Sequence, residues 1–168
     1  MWSWVLWTVV GLVVLVLGVS LALVLTMRTK QPRVLAVVRE FNRRFNNPRM
    51  LRHAGRPGAE LSVLRHVGRS SGKPYETVIG VYPLEEGYLV NLSYGQETDW
   101  LRNLRAAGTA ELVVDGQTHQ VSAARVVGRA EAAPHHHLFP GHTFFVRLLG
   151  VTEFLVLQRV PVTSSDGR

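Results

Sequence analysis

Residues Trp2 to Met27, WSWVLWTVVGLVVLVLGVSLALVLTM, carry no charged side chain. A helix rises ~1.5 Å per residue, so this run exceeds the ~30 Å hydrocarbon thickness of a bilayer and can cross it with some tilt. Trp2, Trp4 and Trp7 gather at one end, as an interfacial aromatic belt would. A cleavable signal peptide wants a cationic start, a shorter apolar core and a small-residue cleavage site, and the segment has none of these. A core helix of a globular protein is the weaker alternative, because a run this long and uniformly apolar lacks the polar stripe of a globular helix. The expectation is a single transmembrane anchor over residues 1–27.

All 19 lysines and arginines follow this run. By the positive-inside rule the carboxyl-terminal part is expected in the cytoplasm, with the few residues before the span facing outward. The chain has no cysteine, which excludes disulfides and thiolate metal sites and agrees with a reducing compartment. The net charge of +7 is concentrated between Arg28 and Lys73, where 12 cations face only Glu40 and Glu60. Beside a membrane span, such a block is expected to meet anionic lipid headgroups rather than nucleic acid.

After the span, Val34, Val37, Val38, Phe41 and Phe45 recur near helical spacing and predict an amphipathic helix over about 33–45, interrupted at Asn46, Asn47 and Pro48. HAGRPGAE reads as a hinge, so residues 28–57 form a basic juxtamembrane segment and 58–168 a globular domain. Within that domain, β-rich runs predict strands at 61–67, 77–83, 88–93, 110–114, 118–127 and 153–160. LEEGY and VDGQT are hairpin turns, the second with the Asp-Gly pair of a type I′ turn. TDWLRNLRAAG predicts a helix started by Thr98 or Asp99, ended by Gly108, and turning Leu101 and Leu104 inward. Residues 131–150 are expected to be helical and broken at FPG. Short antiparallel strands with few helices give a mainly β, α+β class and suggest a small barrel.

Two stretches carry binding chemistry. In GRSSGKP, Gly68 and Gly72 allow a turn that exposes backbone N–H groups, Ser70 and Ser71 add hydroxyls, and Arg69 and Lys73 add full charges. Such a turn is either a nest for an anion or a solvated hairpin loop. It is not a Walker loop, because the spacing is wrong and no Ser or Thr follows the lysine into a helix. In SYGQETDWLRNLRAAG, a glycine after a strand leads into a capped helix bearing Trp100, Asn103 and Arg105, a place suited to an anion and a flat ring.

GRSSGKP, followed about twenty residues later by YGQETDWLRNLRAAG and then AELVVDGQ, resembles the deazaflavin-dependent nitroreductase and quinone reductase family that uses coenzyme F(420). The resemblance covers roughly residues 58–160. It implies a split β-barrel of the flavin-reductase type, able to form a homodimer. It implies that Arg69, Ser70, Ser71, Gly72, Lys73 and Pro74 hold the phosphate and polyglutamate tail of coenzyme F(420), an 8-hydroxy-5-deazaflavin, and that Tyr94, Gly95, Trp100 and Asn103 lie along its ribityl and ring. Hydride would then pass to an electron-poor acceptor such as a quinone, an enone or a nitro compound. The missing Ser-His-Asp set, carboxylate pair and cysteine nucleophile agree, since the cofactor carries such chemistry. The chain departs from many relatives in having Gly95, Gln96, Glu97 and Thr98 where they have Gly-Gly-Ala-Pro, and Glu97 and Asp99 are expected to face away from an anionic cofactor or cap the helix. FMN in the same barrel, and a non-enzymatic membrane-bound lipid- or cofactor-binding module, are the alternatives.

His135, His136, His137 and His142 form a cluster that reads as a surface or lid segment ahead of a metal site, because adjacent helical histidines diverge and no carboxylate stands at ligand spacing. His142 or Tyr94 is a candidate proton donor. Phe144, Phe145, Leu148 and Leu149 read as core, and Arg125 and Arg129 as solvated strand-end charges.

Overall fold

A computed structural model describes residues 2–29, 31–138, 144 and 146–160 of the chain. The uncharged run forms helix α1 (Ser3–Thr29). Its stretch Ser3–Thr26 is long and apolar enough to cross a membrane, with a mean hydropathy of 2.9, and none of it is buried against the rest of the protein.

Helix α2 (Pro32–Phe41) begins after two intervening residues, with proline in its first turn, where a missing N–H costs nothing. The expected interruption at Asn46, Asn47 and Pro48 does not end the helix. A π turn over Asn42–Asn46 widens the spiral, the Asn47 N–H reaches back to the Asn42 carbonyl, and a short helix α3 (Asn47–Met50) carries Pro48 in its first turn. The wider turn accommodates a proline that a regular helix would reject.

Seven strands follow: β1 (Ser62–Val67), β2 (Pro74–Ile79), β3 (Val81–Leu84), β4 (Gly87–Asn91), β5 (Thr109–Val114), β6 (Gln117–Gly128) and β7 (Glu153–Arg159). They form one antiparallel sheet in the order β2-β1-β5-β6-β7-β4-β3. The two outer strands, β2 and β3, are separated in the chain by Gly80 alone. Two edges joined by one residue must lie side by side, so the sheet rolls up into the expected barrel, which removes most of its exposed edge. Here the single strand expected over 77–83 is corrected to two: Ile79 still pairs with Ser62 of β1, whereas Val81 already pairs with Val90 of β4.

A register shift between Ala123 and Arg125 bends the long β6, as a β-bulge does. The β5–β6 turn has φ of 50° at Asp115 and 77° at Gly116, the signature of the type I′ turn expected there. At Gly87 any Cβ would stand 2.0 Å from the Leu157 carbonyl oxygen, so only glycine permits β4 and β7 to approach this closely.

Helix α4 (Asp99–Ala107) plugs the barrel with Leu101 and Leu104, which meet Leu64, Val90, Leu112, Val121 and Leu155. A second apolar cluster covers the outside of β4 and β7, where Leu89 and Phe154 pack with Tyr82, Val127, Ala132, Val146 and Val151. This explains why Tyr88, Leu89 and Val90 are all buried despite pointing alternately to opposite faces. Helix α5 (Arg129–Ala132) continues into a 3-10 stretch over Ala133–Leu138. Within 144–150 it is Val146 that enters the core, whereas Phe144, expected there, is 63% exposed; Leu148 and Leu149 are half-buried. Arg125 pairs with Glu131, and Arg129 donates to the Val151 carbonyl.

Candidate functional site

The β1–β2 connection is the GRSSGKP turn. It closes on itself through Gly68 N–H to the Lys73 carbonyl (2.8 Å) and Gly72 N–H to the Gly68 carbonyl (2.8 Å), with Gly72 at φ 64°. The Ser71 hydroxyl accepts from the Lys73 N–H (3.3 Å) and stands 3.3 Å from the Tyr75 hydroxyl. Among the described residues, the Ser70 side chain and the Lys73 ammonium make no hydrogen bond or ion pair, and both are exposed.

The turn is tied to α4 by Asn103. Its Oδ1 accepts from the Arg69 backbone N–H (3.1 Å) and from Arg69 Nη1 (2.9 Å), so its Nδ2 is the donor to His66 Nδ1 (3.1 Å). His66 therefore carries its proton on Nε2 and donates to the Thr77 hydroxyl (3.0 Å). Burial lowers the His66 pKa, against a smaller raising effect of the Asp99 charge, so the ring is neutral near pH 7. The Arg69 guanidinium also pairs with Asp99 at 3.1 Å. The expectation that Asp99 faces away or caps the helix is thus corrected: Thr98 holds the N-cap position, and Asp99, at the first position of α4, points across to the turn and lines the same cavity as Arg69. Glu97 does face elsewhere, toward Arg102 at 3.8 Å. Thr98 occupies the N-cap position, but its hydroxyl makes no capping bond.

Between the turn, α4, the end of β4 and the juxtamembrane helix lies a cavity of about 850 Å³. Of the residues expected to bind, Arg69, Ser70, Ser71, Tyr94, Trp100 and Asn103 line it, whereas Gly72, Lys73, Pro74 and Gly95 do not. Gly95, at φ 75°, donates to the Leu92 carbonyl (2.9 Å) and turns the chain from β4 toward α4. Trp100 is half-buried against the barrel core. Two atoms beside the cavity, Asn91 Oδ1 and Thr98 Oγ1, are buried with no hydrogen-bond partner among the described residues.

One whole wall comes from residues absent from the sequence reading of the site: Arg39, Asn42, Arg43, Asn46, Asn47 and Met50. Arg39 donates to the carbonyls of Leu35 (3.3 Å) and Glu97 (3.0 Å), with no carboxylate partner among the described residues. Asn46 Nδ2 donates to Asn42 Oδ1 (2.5 Å), and Asn42 Nδ2 donates to the Tyr94 hydroxyl (2.8 Å). Burial raises the Tyr94 pKa, and the bond from Asn42 offsets this only in part, so the phenol keeps its proton. Asn47 serves the edge of β2, accepting from the Val78 N–H (2.7 Å) and donating to the Glu76 carbonyl (2.8 Å). The signal for this wall was the spacing of Arg39, Asn42 and Asn46, one polar stripe opposite the Val/Phe stripe.

Among the described residues no three histidine, aspartate or glutamate side chains converge as a metal site. His135 is half-buried, and His142 lies outside the described residues.

The chain is similar in structure to an F(420)-H(2) dependent reductase (14% identity, TM-score 0.41, covering 58% of this chain and 93% of that one) and to an F(420) reductase (14%, 0.42, 65% and 91%). It is similar to the same degree to a haem storage protein from Vibrio cholerae (17%, 0.43, 67% and 89%). Likeness at this level carries no functional argument. No curated protein matches the chain. A family model, F(420)H(2)-dependent quinone reductase, matches residues 27–140, from the end of the apolar helix through the turn, α4 and β6. By that match the chain belongs to the F(420)H(2)-dependent quinone reductase family, is an F(420)-dependent oxidoreductase, and takes coenzyme F(420) as its cofactor.

Proposed function

We propose that this oxidoreductase is membrane-anchored and reduces a lipophilic acceptor, a quinone ahead of enones and nitro compounds. The observation that carries the reading is the joining, within one chain, of an unburied apolar helix of membrane-spanning length to a helix that walls the cavity of an F(420)-dependent enzyme. The cations that begin at Arg28 support a cytoplasmic catalytic body. The proposed organisation is an anchor over 1–27, a basic segment over 28–57 and a reductase barrel over 58–168.

The residues present fit coenzyme F(420). Asn91 Oδ1 and Thr98 Oγ1 offer an acceptor and a hydroxyl to the polar edge of a ring, in a place where each is buried and unpartnered. Trp100 and Tyr94 add flat apolar surface. At the turn, Ser70, Ser71 and Lys73, held in place by the closed backbone at Gly72 and by Pro74 after it, suit a phosphate and carboxylate tail, and Arg69 joins them while held by Asn103. Gly95 aims Tyr94 and α4 at the ring. When bound and reduced, the cofactor supplies a hydride to the acceptor. The chain's own part is to orient, exclude water and supply a proton: the Tyr94 hydroxyl accepts its bond from Asn42, which leaves its own hydrogen available for a developing oxygen anion.

The test is a spectral titration of the full-length protein in vesicles, followed by assays with a long-chain isoprenoid quinone and with a short soluble one. Saturable F(420) binding with preferential turnover of the membrane-borne quinone is expected. Turnover of the soluble quinone alone would overturn the proposed acceptor class, and release of the protein by alkaline carbonate would overturn the anchor.

A further inference from the structure

The juxtamembrane helix buries Leu35 and half-buries Val38, but its other large apolar side chains face the wrong way for a helix in water. Val34, Val37, Phe41 and Phe45 form one stripe, and they are 38%, 68%, 53% and 46% exposed. The opposite, polar stripe of Arg39, Asn42 and Asn46 is turned inward and lines the cavity. Amphipathic helices on soluble proteins do the reverse, because burying apolar surface drives their packing. The Phe41 and Phe45 rings lie 5.2 Å apart, so the stripe is a continuous apolar surface.

What covers this surface follows from where the helix starts. Helix α1 ends at Thr29 and α2 begins at Pro32. Three residues of extended chain reach about 10 Å, so the first turn of α2 cannot leave the interfacial zone of a membrane that α1 crosses. Exposed Arg33, Arg44 and Arg49 rim the apolar stripe, the arrangement of a helix lying in the plane of an anionic bilayer surface.

We propose that α2 and the π turn lie in the bilayer interface, with Val34, Val37, Phe41 and Phe45 facing the acyl-chain boundary, so that the cavity behind them is filled with lipophilic acceptor from the membrane and not from water. The inference rests on the membrane anchor proposed above. It assigns the π turn a job: by adding a residue to one turn it keeps Asn42, Asn46 and Asn47 all on the barrel side while Phe41 and Phe45 stay on the other. The helix is then one wall with two solvents, a polar lining for the cavity and an apolar sole for the lipid.

The chain has no cysteine, so single introduced cysteines can carry a spin label or fluorophore at one place each. The full-length protein is reconstituted in vesicles containing anionic lipid, with labels at Val37→Cys, Phe41→Cys and Phe45→Cys. Leu15→Cys in α1 and Gln117→Cys at the exposed start of β6 serve as references. The three helix labels are expected to be quenched several-fold more by a lipid-borne quencher than by an aqueous one, like Leu15→Cys and unlike Gln117→Cys. If they were quenched from water while the Leu15→Cys label sat in lipid, this inference would fall and the anchor would stand. If the Leu15→Cys label were itself water-exposed, the anchor would fall too. Shielding of the helix labels from both quenchers would mean a second copy covers the stripe, which also overturns the proposal. A companion variant, Val37→Asp with Phe41→Asp, is expected to slow reduction of the membrane-borne quinone several-fold while leaving a soluble acceptor unaffected. Equal effects on both acceptors would count against membrane-side entry.

Discussion

Asn103 joins three elements through one amide: α4, which carries it, the basic turn and β1. Its partners lie 34 and 37 residues away in the chain, so the Asp-Trp-x-x-Asn spacing marks the residue without revealing what it touches. The linked His66 accepts at Nδ1 from that amide and donates at Nε2 to Thr77, an arrangement that only the neutral ring can make. Because burial lowers its folded-state pKa, the unfolded chain takes up the proton first as the pH falls below about 6.5. Stability contributed by neutral His66 is therefore full above that pH and is lost as the pH falls through the folded pKa. Chemical denaturation between pH 7.5 and 5 should show declining stability, with a shallower slope in His66→Gln; equal slopes would remove His66 as the cause. Tyr94 invites a second measurement. Tyr94→Phe keeps the ring but removes the hydroxyl that Asn42 holds. Quinone turnover should drop roughly a hundred- to ten-thousand-fold, the range of a lost general acid, while the dissociation constant for F(420) stays nearly constant. An unchanged turnover would leave the Tyr94 hydroxyl as a structural partner of Asn42 and no more.

At the level of elements, the alternating runs and turn residues placed every strand to within a few residues, apart from the split at Gly80. The split escaped notice because 77–83 is one uninterrupted β-prone run, and the change of neighbour from β1 to β4 depends on closure of the whole sheet. The π turn was invisible for a related reason: Asn46, Asn47 and Pro48 are residues that end helices, and only their bonds to Asn42 and β2 show why the chain continues. Asn47 supplies a β-bridge in miniature to the edge strand, so Asn47→Ala should cost about 1–3 kcal/mol for two lost hydrogen bonds. Hydrogen exchange at the Val78 amide should quicken with it, and an unaltered rate there would mean the edge is protected by something else. The turn and α4 should separate in binding assays. A charge-assisted bond is worth about 1.5–3 kcal/mol, so Lys73→Ala should weaken intact F(420) by roughly ten-fold or more yet leave a version without phosphate and glutamates unaffected. Trp100→Ala should weaken both versions, because Trp100 lines the cavity while Lys73 stands outside it. Should Lys73→Ala weaken the two cofactor forms equally, the turn is a solvated loop after all.

Over the whole molecule, charge and hydropathy are arranged along one direction of the chain: an uncharged helix, then 12 cations against two carboxylates up to Lys73, then a slightly acidic remainder. Both ends of this gradient were readable in the sequence, because composition does not depend on folding. What was not readable is that the basic segment is also a wall of the cavity, since that depends on which face of α2 turns inward. The consequence is a division of labour. In the proposed membrane-anchored arrangement, a 24-residue apolar helix would hold the chain in a bilayer regardless of lipid charge, so the cations would not be needed for attachment. In that arrangement they would set the attitude of the barrel, each contributing about 1 kcal/mol near an anionic surface and much less once salt shortens the screening length to a few ångströms. Membrane partition of the full-length protein should therefore be the same in zwitterionic and anionic vesicles. Reduction of a membrane-borne quinone should rise with anionic lipid and fall as salt goes from about 0.05 M to 1 M, where the screening length drops to about 3 Å. A water-soluble acceptor should be reduced at a rate that ignores lipid charge, which separates orientation from any direct effect of salt on the chemistry. Quinone reduction that stayed constant across lipid charge and salt would mean that the anchor and the apolar stripe alone seat the cavity on the membrane, with the arginines of residues 28–56 serving solubility.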